Sequence, residues 1–147
     1  MKDSTIKHYH VSRSSIYSYI IDSLSLNLNK AFIIFLNGEM GSGKTTLVKS
    51  FLENYDMKSI ATSPTFTLIN EYAVNDINIF HYDLYRVKST KELFEVGIDY
   101  YLEQKGLHFF EWPNHYKSVL PSPDLEFTFT ILDNSRLLTV ETNNAKK

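Results

Sequence analysis

Phe-Ile-Ile-Phe-Leu-Asn-Gly-Glu-Met-Gly-Ser-Gly-Lys-Thr-Thr, residues 32–46, is the most informative segment of the chain. Its first part, residues 32–36, is a short apolar run that predicts a buried β-strand. The strand enters Gly38-x-x-x-x-Gly43-Lys44-Thr45, which is the pattern of a phosphate-binding loop, or P-loop. Residues 44–54 have the pattern of a helix. The segment therefore predicts a strand, a glycine-rich loop and a helix in direct succession.

The P-loop pattern has a physical basis in its glycines and in the helix that follows. Glycine turns without a Cβ clash, so successive N–H groups of the loop can point inward at phosphate oxygens. The helix dipole adds partial positive charge at the same place. In this pattern Lys44 reaches the β- and γ-phosphates, and the Thr45 hydroxyl ligates Mg²⁺. The loop therefore predicts a nucleotide site.

A glycine-rich turn that binds no ligand is the alternative interpretation of this segment. The Lys44-Thr45 pair and the strand-to-helix context favour the nucleotide site. The predicted ATP-binding residues of the loop are Gly38, Glu39, Met40, Gly41, Ser42, Gly43, Lys44, Thr45 and Thr46.

The composition predicts one cytoplasmic domain around this loop. The 147 residues are 43% hydrophobic, so residues 1–147 are expected to form a single domain, with a disordered tail over residues 143–147. The chain has no cysteine, which excludes disulfides and thiolate zinc sites. No apolar run is long enough to span a membrane. A net charge of −2 gives no basic footprint, so strong direct binding to tRNA or DNA is not expected, and any nucleic-acid role is expected to run through a partner.

The remaining segments alternate between strand and helix patterns. Residues 6–11 predict a strand, and residues 16–24 predict an amphipathic helix. The runs 66–74 and 77–87 flank Asn75-Asp76 and predict an antiparallel hairpin. A capping box at residues 89–92 begins a helix that continues to residue 102, and residues 107–110 form a short strand. Because residues 125–132 and 137–142 predict a closing hairpin, the expected fold is α/β with a mixed sheet.

Two acidic residues come at the ends of apolar strands, Asp83 and Glu111. Ligands of open α/β sheets bind at the carboxyl ends of the strands. Both carboxylates are therefore candidates to bind Mg²⁺ or to orient the water that attacks the γ-phosphate. An ordinary surface acid or a helix-cap partner is the alternative for each. The alternation of the strand places Ile79 and His81 on the same face as Asp83.

Three further polar features have less specific interpretations. Thr65, in a loop interrupted by Pro64, is a candidate to sense the γ-phosphate as a switch threonine does, or it is a plain loop hydroxyl. Ser14 lies close to a chain turn and is a candidate nucleotide contact, but a serine before a helix is more often its N-cap. The five histidines have no helical zinc-ligand spacing.

Five segments together resemble a known protein family. They are Gly38–Thr46, Thr62–Tyr72 with its Ser-Pro-Thr motif, His81–Arg86, Gly97–Leu102 and Glu111-Trp-Pro113. In content, order and spacing they are similar to the successive motifs of the TsaE family. The resemblance covers nearly the full chain, and the joint occurrence of these motifs is far more specific than a P-loop alone.

The resemblance implies a P-loop NTPase fold, as one three-layer domain, and a weak, Mg²⁺-dependent ATPase. Such a protein is an accessory factor in making N6-threonylcarbamoyladenosine (t6A) in bacterial tRNA. It works with the TsaD threonylcarbamoyl transferase and its paralogue TsaB. ATP turnover is thought to reset that complex between catalytic cycles.

The resemblance also implies roles for individual residues. Thr45 and Glu111 would be Mg²⁺ ligands, and Asp83 would be a Walker B-like acid near the metal and the γ-phosphate. Thr65 would lie in the switch-like loop. The remaining correspondences are Trp112 beside the site and Ser14 and Arg136 at the nucleotide. Lys44, Thr65, Asp83 and Glu111 are thus the predicted catalytic residues, with ATP and Mg²⁺ as cofactors.

Two rival functions share the P-loop. A small nucleoside or metabolite kinase is the principal alternative, although the sequence has no evident arginine-rich lid or inserted acceptor-binding segment. A GTP-driven switch lacks its guanine-reading motif, because Asn29-Lys30 is followed by Ala31-Phe32 and not by the required acid. A partner protein that binds ATP without hydrolysing it is a third possibility.

Overall fold

A computed structural model describes residues 3–56 and 68–144. In these ranges the chain alternates between strands and helices, as the sequence patterns predict. The elements in order are β1 (Asp3–Val11), α1 (Ser15–Asp22), β2 (Ala31–Asn37), α2 (Lys44–Asn54), β3 (Ile69–Val74), β4 (Ile77–Asp83), α3 (Thr90–Glu95), α4 (Ile98–Leu102), β5 (Gly106–Glu111), a 3₁₀ turn (Asn114–Tyr116), β6 (Leu125–Ile131) and β7 (Arg136–Asn144).

The seven strands form one mixed sheet in the order β1-β7-β6-β2-β5-β4-β3. Strand β2 lies between β5 and β6 and is parallel to both, and β4 is parallel to β5. The remaining neighbours, β3 with β4, β6 with β7 and β7 with β1, are antiparallel. The predicted mixed α/β sheet is confirmed.

Both faces of the sheet are covered, which explains why β2 is apolar at successive positions. Its side chains alternate, so Ile34 and Leu36 pack on one face and Ile33 and Phe35 on the other. Helices α1 and α2 cover the first face through Tyr17, Ile20, Ile21, Leu47, Val48, Phe51 and Leu52. Helices α3 and α4 and the segment after β5 cover the second face through Leu93, Ile98, Tyr116 and Leu120. The result is three layers, helix, sheet and helix.

The hairpin between β3 and β4 turns where the sequence predicted. Asn75 and Asp76 have φ angles of 50° and 65°. Two successive positive φ values make the tight turn whose twist matches that of the flanking strands. The described part of the first strand begins at Ile69, and residues 66 and 67 of the predicted run lie outside the described residues.

The predicted bounds of two elements differ from the structure. Strand β4 ends at Asp83, the acid expected at a strand end, but the predicted β-rich run to residue 87 does not continue as a strand, because Val87 N–H donates to Leu84 O at 3.2 Å and closes a turn. The predicted helix over residues 89–102 is two short helices, since Gly97 has a φ of 82° and interrupts the helical hydrogen bonding. The capping box itself is confirmed, with Glu92 N–H donating to Ser89 Oγ at 3.2 Å.

The chain ends also differ from the prediction. Strand β1 starts at Asp3 and not at residue 6, since it pairs with β7 along its whole length. Asn143 and Asn144, predicted to be disordered, belong to β7, and Asn143 N–H donates to Asp124 O at 2.9 Å. The rest of that predicted tail lies outside the described residues. None of the helices within residues 3–56 and 68–144 is long and apolar enough to cross a membrane.

Candidate functional site

The loop between β2 and α2 has the backbone of an anion-binding site. Gly41 and Gly43 have φ angles of 78° and 117°, in the left-handed region that favours glycine. A Cβ on Gly43 would also lie 2.7 Å from the hydroxyl of Tyr17. The Ser42 hydroxyl is buried and has no hydrogen-bond partner within the described residues. A phosphate oxygen held in the loop would supply the partner that this hydroxyl needs.

Lys44, the first residue of α2, is folded back over the loop. Its Nζ donates a hydrogen bond to Gly38 O at 2.6 Å and lies 3.5 Å from the centre of the Trp112 ring. Burial lowers the pKa of the lysine from its ordinary value, and the carboxylates of Glu111 and Asp83 oppose this shift. The ammonium group thus contacts a carbonyl and an aromatic face in a partly desolvated position, where two acids favour its charged form.

Trp112 reaches Lys44 because of an unusual backbone conformation. Its φ is 61°, in the left-handed region that residues other than glycine rarely adopt. The ring also contacts Tyr85, with a distance of 5.0 Å between ring centres. Strained backbone of this kind persists only where surrounding contacts hold it, and it is frequent at functional sites.

The sheet brings the two predicted acids together at its carboxyl edge. In the register of β4 with β5, Asp83 lies opposite Glu111, and Glu111 lies opposite Leu36 of β2, which ends at the loop. Asp83 Oδ1 accepts a hydrogen bond from Tyr85 N–H at 3.1 Å. A cavity of about 410 Å³ lies between the acids and the P-loop and is lined by Met40, Gly41, Gly43, Lys44, Thr45, Thr46, Asp83, Tyr85, Arg86, Glu111 and Trp112.

Glu111 is buried and forms two contacts through one oxygen. Its Oε2 lies 3.4 Å from Thr45 Oγ1 and accepts a short hydrogen bond from Nε2 of His81. The sequence did not predict a role for His81. Its position two residues before Asp83, on the same strand face, is the signal that could have suggested one.

The oxygen atoms of this cluster suit Mg²⁺. Within residues 3–56 and 68–144 no group of three or more His, Cys, Asp and Glu side chains could hold a metal by itself. Mg²⁺ usually takes one or two carboxylates, waters and substrate phosphates rather than an all-protein cage. Thr45, Glu111 and Asp83 therefore fit an Mg²⁺ ion that arrives with a nucleotide, and they do not fit a zinc site.

A second cavity, of about 270 Å³, lies beside the loop and contains the two outlying predicted residues. Ser14 and Arg136 both line it, together with Gly41, Gly43 and Thr46, which also line the first cavity. Ser14 occupies the N-cap position of α1, but its side chain forms no capping hydrogen bond. The predicted N-cap position of Ser14 is therefore confirmed, but its side chain does not cap the helix.

Arg136, the first residue of β7, fastens the loop to the sheet. Its Nε and Nη2 donate to the carbonyl oxygens of Ser42 and Gly41 at 3.2 and 3.3 Å. The structure thus gathers Lys44, Thr45, Asp83 and Glu111 around one cavity and Ser14 and Arg136 around its neighbour. Thr65 lies outside the described residues.

A third cavity, of about 650 Å³, neighbours the first at the P-loop. It is lined by Leu36, Asn37, Gly38, Glu39, Met40, Trp112, Asn114, Phe129, Thr130 and Ile131. Met40 and Trp112 line both cavities and separate them. Glu39, predicted as a nucleotide contact, lines this third cavity and not the first.

Comparison with known proteins shows similarity to one protein family. A family model described as "Threonylcarbamoyl adenosine biosynthesis protein TsaE" matches residues 13–138. The chain is 34% identical over 113 residues to the tRNA threonylcarbamoyladenosine biosynthesis protein TsaE of Haemophilus influenzae, a match that covers 77% of this chain and 72% of that protein. It is 37% identical over 113 residues to the protein of the same name from Rickettsia typhi, with 76% and 78% covered.

A solved structure agrees with the fold. The crystal structure of YdiB from Bacillus subtilis matches with a TM-score of 0.71 at 23% identity, over 97% of this chain and 87% of that chain. The α/β fold predicted from the P-loop segment is confirmed by this likeness and by the sheet itself. Because the family model spans most of the chain and relatives are about a third identical over most of their length, the chain belongs to the TsaE family.

Proposed function

We propose that this protein binds Mg-ATP at the P-loop and hydrolyses it slowly as a cytoplasmic accessory ATPase of t6A biosynthesis. The proposed partners are a TsaD-like threonylcarbamoyl transferase and its TsaB-like paralogue, with tRNA contacted only through them. Family membership supports the pathway, since the relatives are tRNA threonylcarbamoyladenosine biosynthesis proteins by name. The observation that carries the ATPase proposal is the meeting of Lys44, Thr45, Asp83 and Glu111 around one cavity.

The cavity matches the needs of phosphoryl transfer. Amide groups of the loop and the Lys44 ammonium would bind the phosphate oxygens, where negative charge accumulates during transfer. Thr45 and Glu111 would hold Mg²⁺, which neutralises charge on the β- and γ-phosphates when bound. Ser14 and Arg136 would bind the nucleoside part, since their cavity shares Gly41, Gly43 and Thr46 with the first cavity and is lined by neither acid.

Asp83 is proposed to orient the attacking water. Its position opposite Glu111 places its carboxylate at the same sheet edge, and it lines the phosphate cavity. The water oxygen would form a bond to the γ-phosphorus while the bond to the β,γ-bridging oxygen breaks, which yields ADP, phosphate and a proton released to solvent. Transfer of this kind is catalysed mainly by positioning and charge, and weak activity is expected where no cationic side chain is supplied in trans.

The test separates nucleotide binding from turnover. Lys44→Ala is expected to lose both, and Glu111→Ala is expected to bind ATP and lose turnover. Lys49→Ala, on the same helix and away from the cavity lining, and Glu95→Ala, an exposed acid of α3, are matched controls. Fluorescence of Trp112, the single tryptophan, measures binding, because its ring contacts Lys44. Unchanged hydrolysis in both site variants would contradict the assignment.

A pull-down of the transferase pair tests the partner proposal. Capture is expected to depend on Mg-ATP and to fail with Lys44→Ala. Capture that ignores nucleotide, together with turnover stimulated by a small phosphate acceptor, would instead favour the kinase alternative.

A further inference from the structure

His81 is a fully buried histidine that the proposed mechanism does not use. It lies near the end of β4, with 0% of its surface exposed, and in the sheet register it is opposite Asn70 of β3 and Phe109 of β5. Burying an imidazole among apolar groups costs free energy unless its polar atoms are bonded. A histidine at this place therefore needs a reason beyond packing.

Its hydrogen bonds identify that reason. The Nε2 atom bonds to Oε2 of Glu111, and because a carboxylate only accepts, Nε2–H is the donor. Within the described residues Nδ1 has no hydrogen-bond partner. The polar contact that the described structure gives this ring is thus the one to Glu111, and that same oxygen faces the Thr45 hydroxyl at 3.4 Å.

A second buried histidine on the adjacent strand makes the contrast clear. His108 of β5 also has 0% exposure, but both of its ring nitrogens are bonded. Its Nδ1 accepts from the hydroxyl of Tyr82 at 2.7 Å, and its Nε2 donates to Gln104 O at 2.8 Å. Neither Tyr82 nor Gln104 lines the 410 Å³ cavity between the acids and the P-loop. His108 is bonded as a structural histidine, whereas His81 is bonded to a site residue.

We propose that His81 is a positioning residue that fixes the carboxylate of Glu111 for Mg²⁺. The inference rests on the proposed function, because Glu111 is the proposed ligand. A glutamate side chain has three rotatable bonds, and the Nε2–H bond selects the arrangement in which Oε2 faces Thr45. Without that bond the Glu111 side chain can adopt several conformations. Part of the free energy of Mg²⁺ binding must then be used to fix the carboxylate in one of them.

Partners of metal ligands commonly change metal affinity by about 10- to 100-fold when they are removed. For His81→Leu we expect the Mg²⁺ concentration for half-maximal ATP hydrolysis to rise by about that factor. ATP affinity in EDTA is expected to stay within about twofold of the wild type, because the Lys44 and P-loop contacts need no metal. A role in folding alone would move neither quantity or would move both together.

Two variants keep the test decisive. His81→Gln has an amide N–H that reaches about as far as Nε2 and is expected to recover most of the Mg²⁺ affinity. His108→Gln is the matched control, expected to lower stability while the Mg²⁺ requirement remains that of the wild type. In a Glu111→Ala background, which has lost turnover, His81→Leu is expected to leave the Mg²⁺ dependence of ATP binding unchanged, since His81 acts through Glu111.

An NMR measurement tests the bond without nucleotide. Imidazole ¹H–¹⁵N spectra of the free protein are expected to show the His81 proton on Nε2, with a resonance that shifts in Glu111→Ala and not in the control Glu95→Ala. A wild-type Mg²⁺ requirement in His81→Leu, equal losses with and without Mg²⁺, or an unshifted resonance in Glu111→Ala would overturn the inference. If the wild type binds no ATP, the proposed function fails, while the NMR result still decides whether His81 holds Glu111.

Discussion

Arg136 connects the last strand to the P-loop through two backbone carbonyls. Replacing it with alanine removes charge-assisted bonds that hold the loop in shape, so the ATP dissociation constant should rise about tenfold. Arg136→Lys should recover little, because an ammonium group cannot reproduce the fork of the guanidinium. Fluorescence titration of Trp112 measures the effect.

Lys117→Ala is the control for this prediction. Lys117 forms a salt bridge to Glu126 at 3.7 Å and does not line the first or the second cavity beside the P-loop. An ATP affinity in Arg136→Ala equal to that of Lys117→Ala would contradict the role given to the arginine.

Tyr82 is expected to make the stability of the protein depend on pH in alkaline solution. It is fully buried, and burial raises the pKa of its hydroxyl well above the ordinary value of 10.0. Above pH 10 the unfolded chain loses this proton and the folded protein keeps it, so the free energy of unfolding falls as the pH rises. Tyr82→Phe removes this contribution to the pH dependence. The free energy of unfolding should then fall less steeply between pH 10 and pH 11, as measured by the midpoints of urea denaturation.

The comparison must allow for the lost hydrogen bond and for other tyrosines. Tyr82→Phe should lower stability by about 1 kcal/mol at pH 7, since the bond to His108 is lost. Burial also raises the pKa of Tyr17, Tyr55 and Tyr72, so a residual slope remains. Equal slopes in wild type and variant would show that Tyr82 does not titrate with unfolding.

Replacing each of two glycines at the borders of elements with alanine is expected to lower the free energy of unfolding by different amounts. Gly97 breaks the helical segment at a φ of 82°, and a Cβ there would meet nothing within 4 Å. Gly106 starts β5 at a φ of 134°, and a Cβ there would lie 2.2 Å from Asn78 O. Gly97→Ala should cost about 1–2 kcal/mol from backbone strain, and Gly106→Ala at least about twice that, because the β4 backbone must also move.

Chemical denaturation of the two variants measures this difference directly. Gly97→Ala serves as the control for backbone strain, since it has no close neighbour. Equal losses of stability would mean that the approach of β4 to β5 is looser than the structure indicates.

The sequence predicted those elements whose signals are local. Apolar runs and the glycine pattern placed β2, the P-loop and α2, and the helix bounds of residues 44–54 were correct. The break at Gly97 was missed because the apolar spacing continues across it and only the backbone angle interrupts the helix. Asp83 was correctly expected at a strand end, but the β-rich run was extended to residue 87 because Leu84, Tyr85 and Val87 also favour strands while the chain turns there.

The arrangement of the candidate site was predictable where residue type and strand position coincide. Lys44 and Thr45 follow from the motif, and the two acids follow from their places at strand ends. The contact of His81 with Glu111 was not predictable, because it depends on the register between β4 and β5. The approach of Trp112 to Lys44 depends on a φ of 61° that no sequence pattern indicates.

If residues 1–147 form one domain, as the sequence predicts, the whole molecule should unfold in one transition, and bound nucleotide should stabilise all of it. Helices and cores on both faces share the single sheet, so unfolding followed by Trp112 fluorescence and by far-UV circular dichroism should coincide. Mg-ATP at about 100 times its dissociation constant should add about 2.7 kcal/mol and raise the melting temperature on the order of 5 to 10 °C.

The variant Lys44→Ala is the control, because it should show no shift with Mg-ATP. Separate transitions for the two signals would contradict a single cooperative unit. An equal shift in the variant would mean that the nucleotide stabilises the protein at some other place.

The pairing of β1 with β7 has a consequence for how the protein is made. Strand β1 lies at the edge of the sheet beside β7, with Asp3 opposite Asn144 and Val11 opposite Arg136. The chain is translated from its N-terminus, so β1 leaves the ribosome before β7. Strand β1 therefore has no partner until nearly all of the described sequence has been translated. During that interval its free edge is open to pairing with other chains, and a chaperone that shields extended segments would protect nascent molecules at this step.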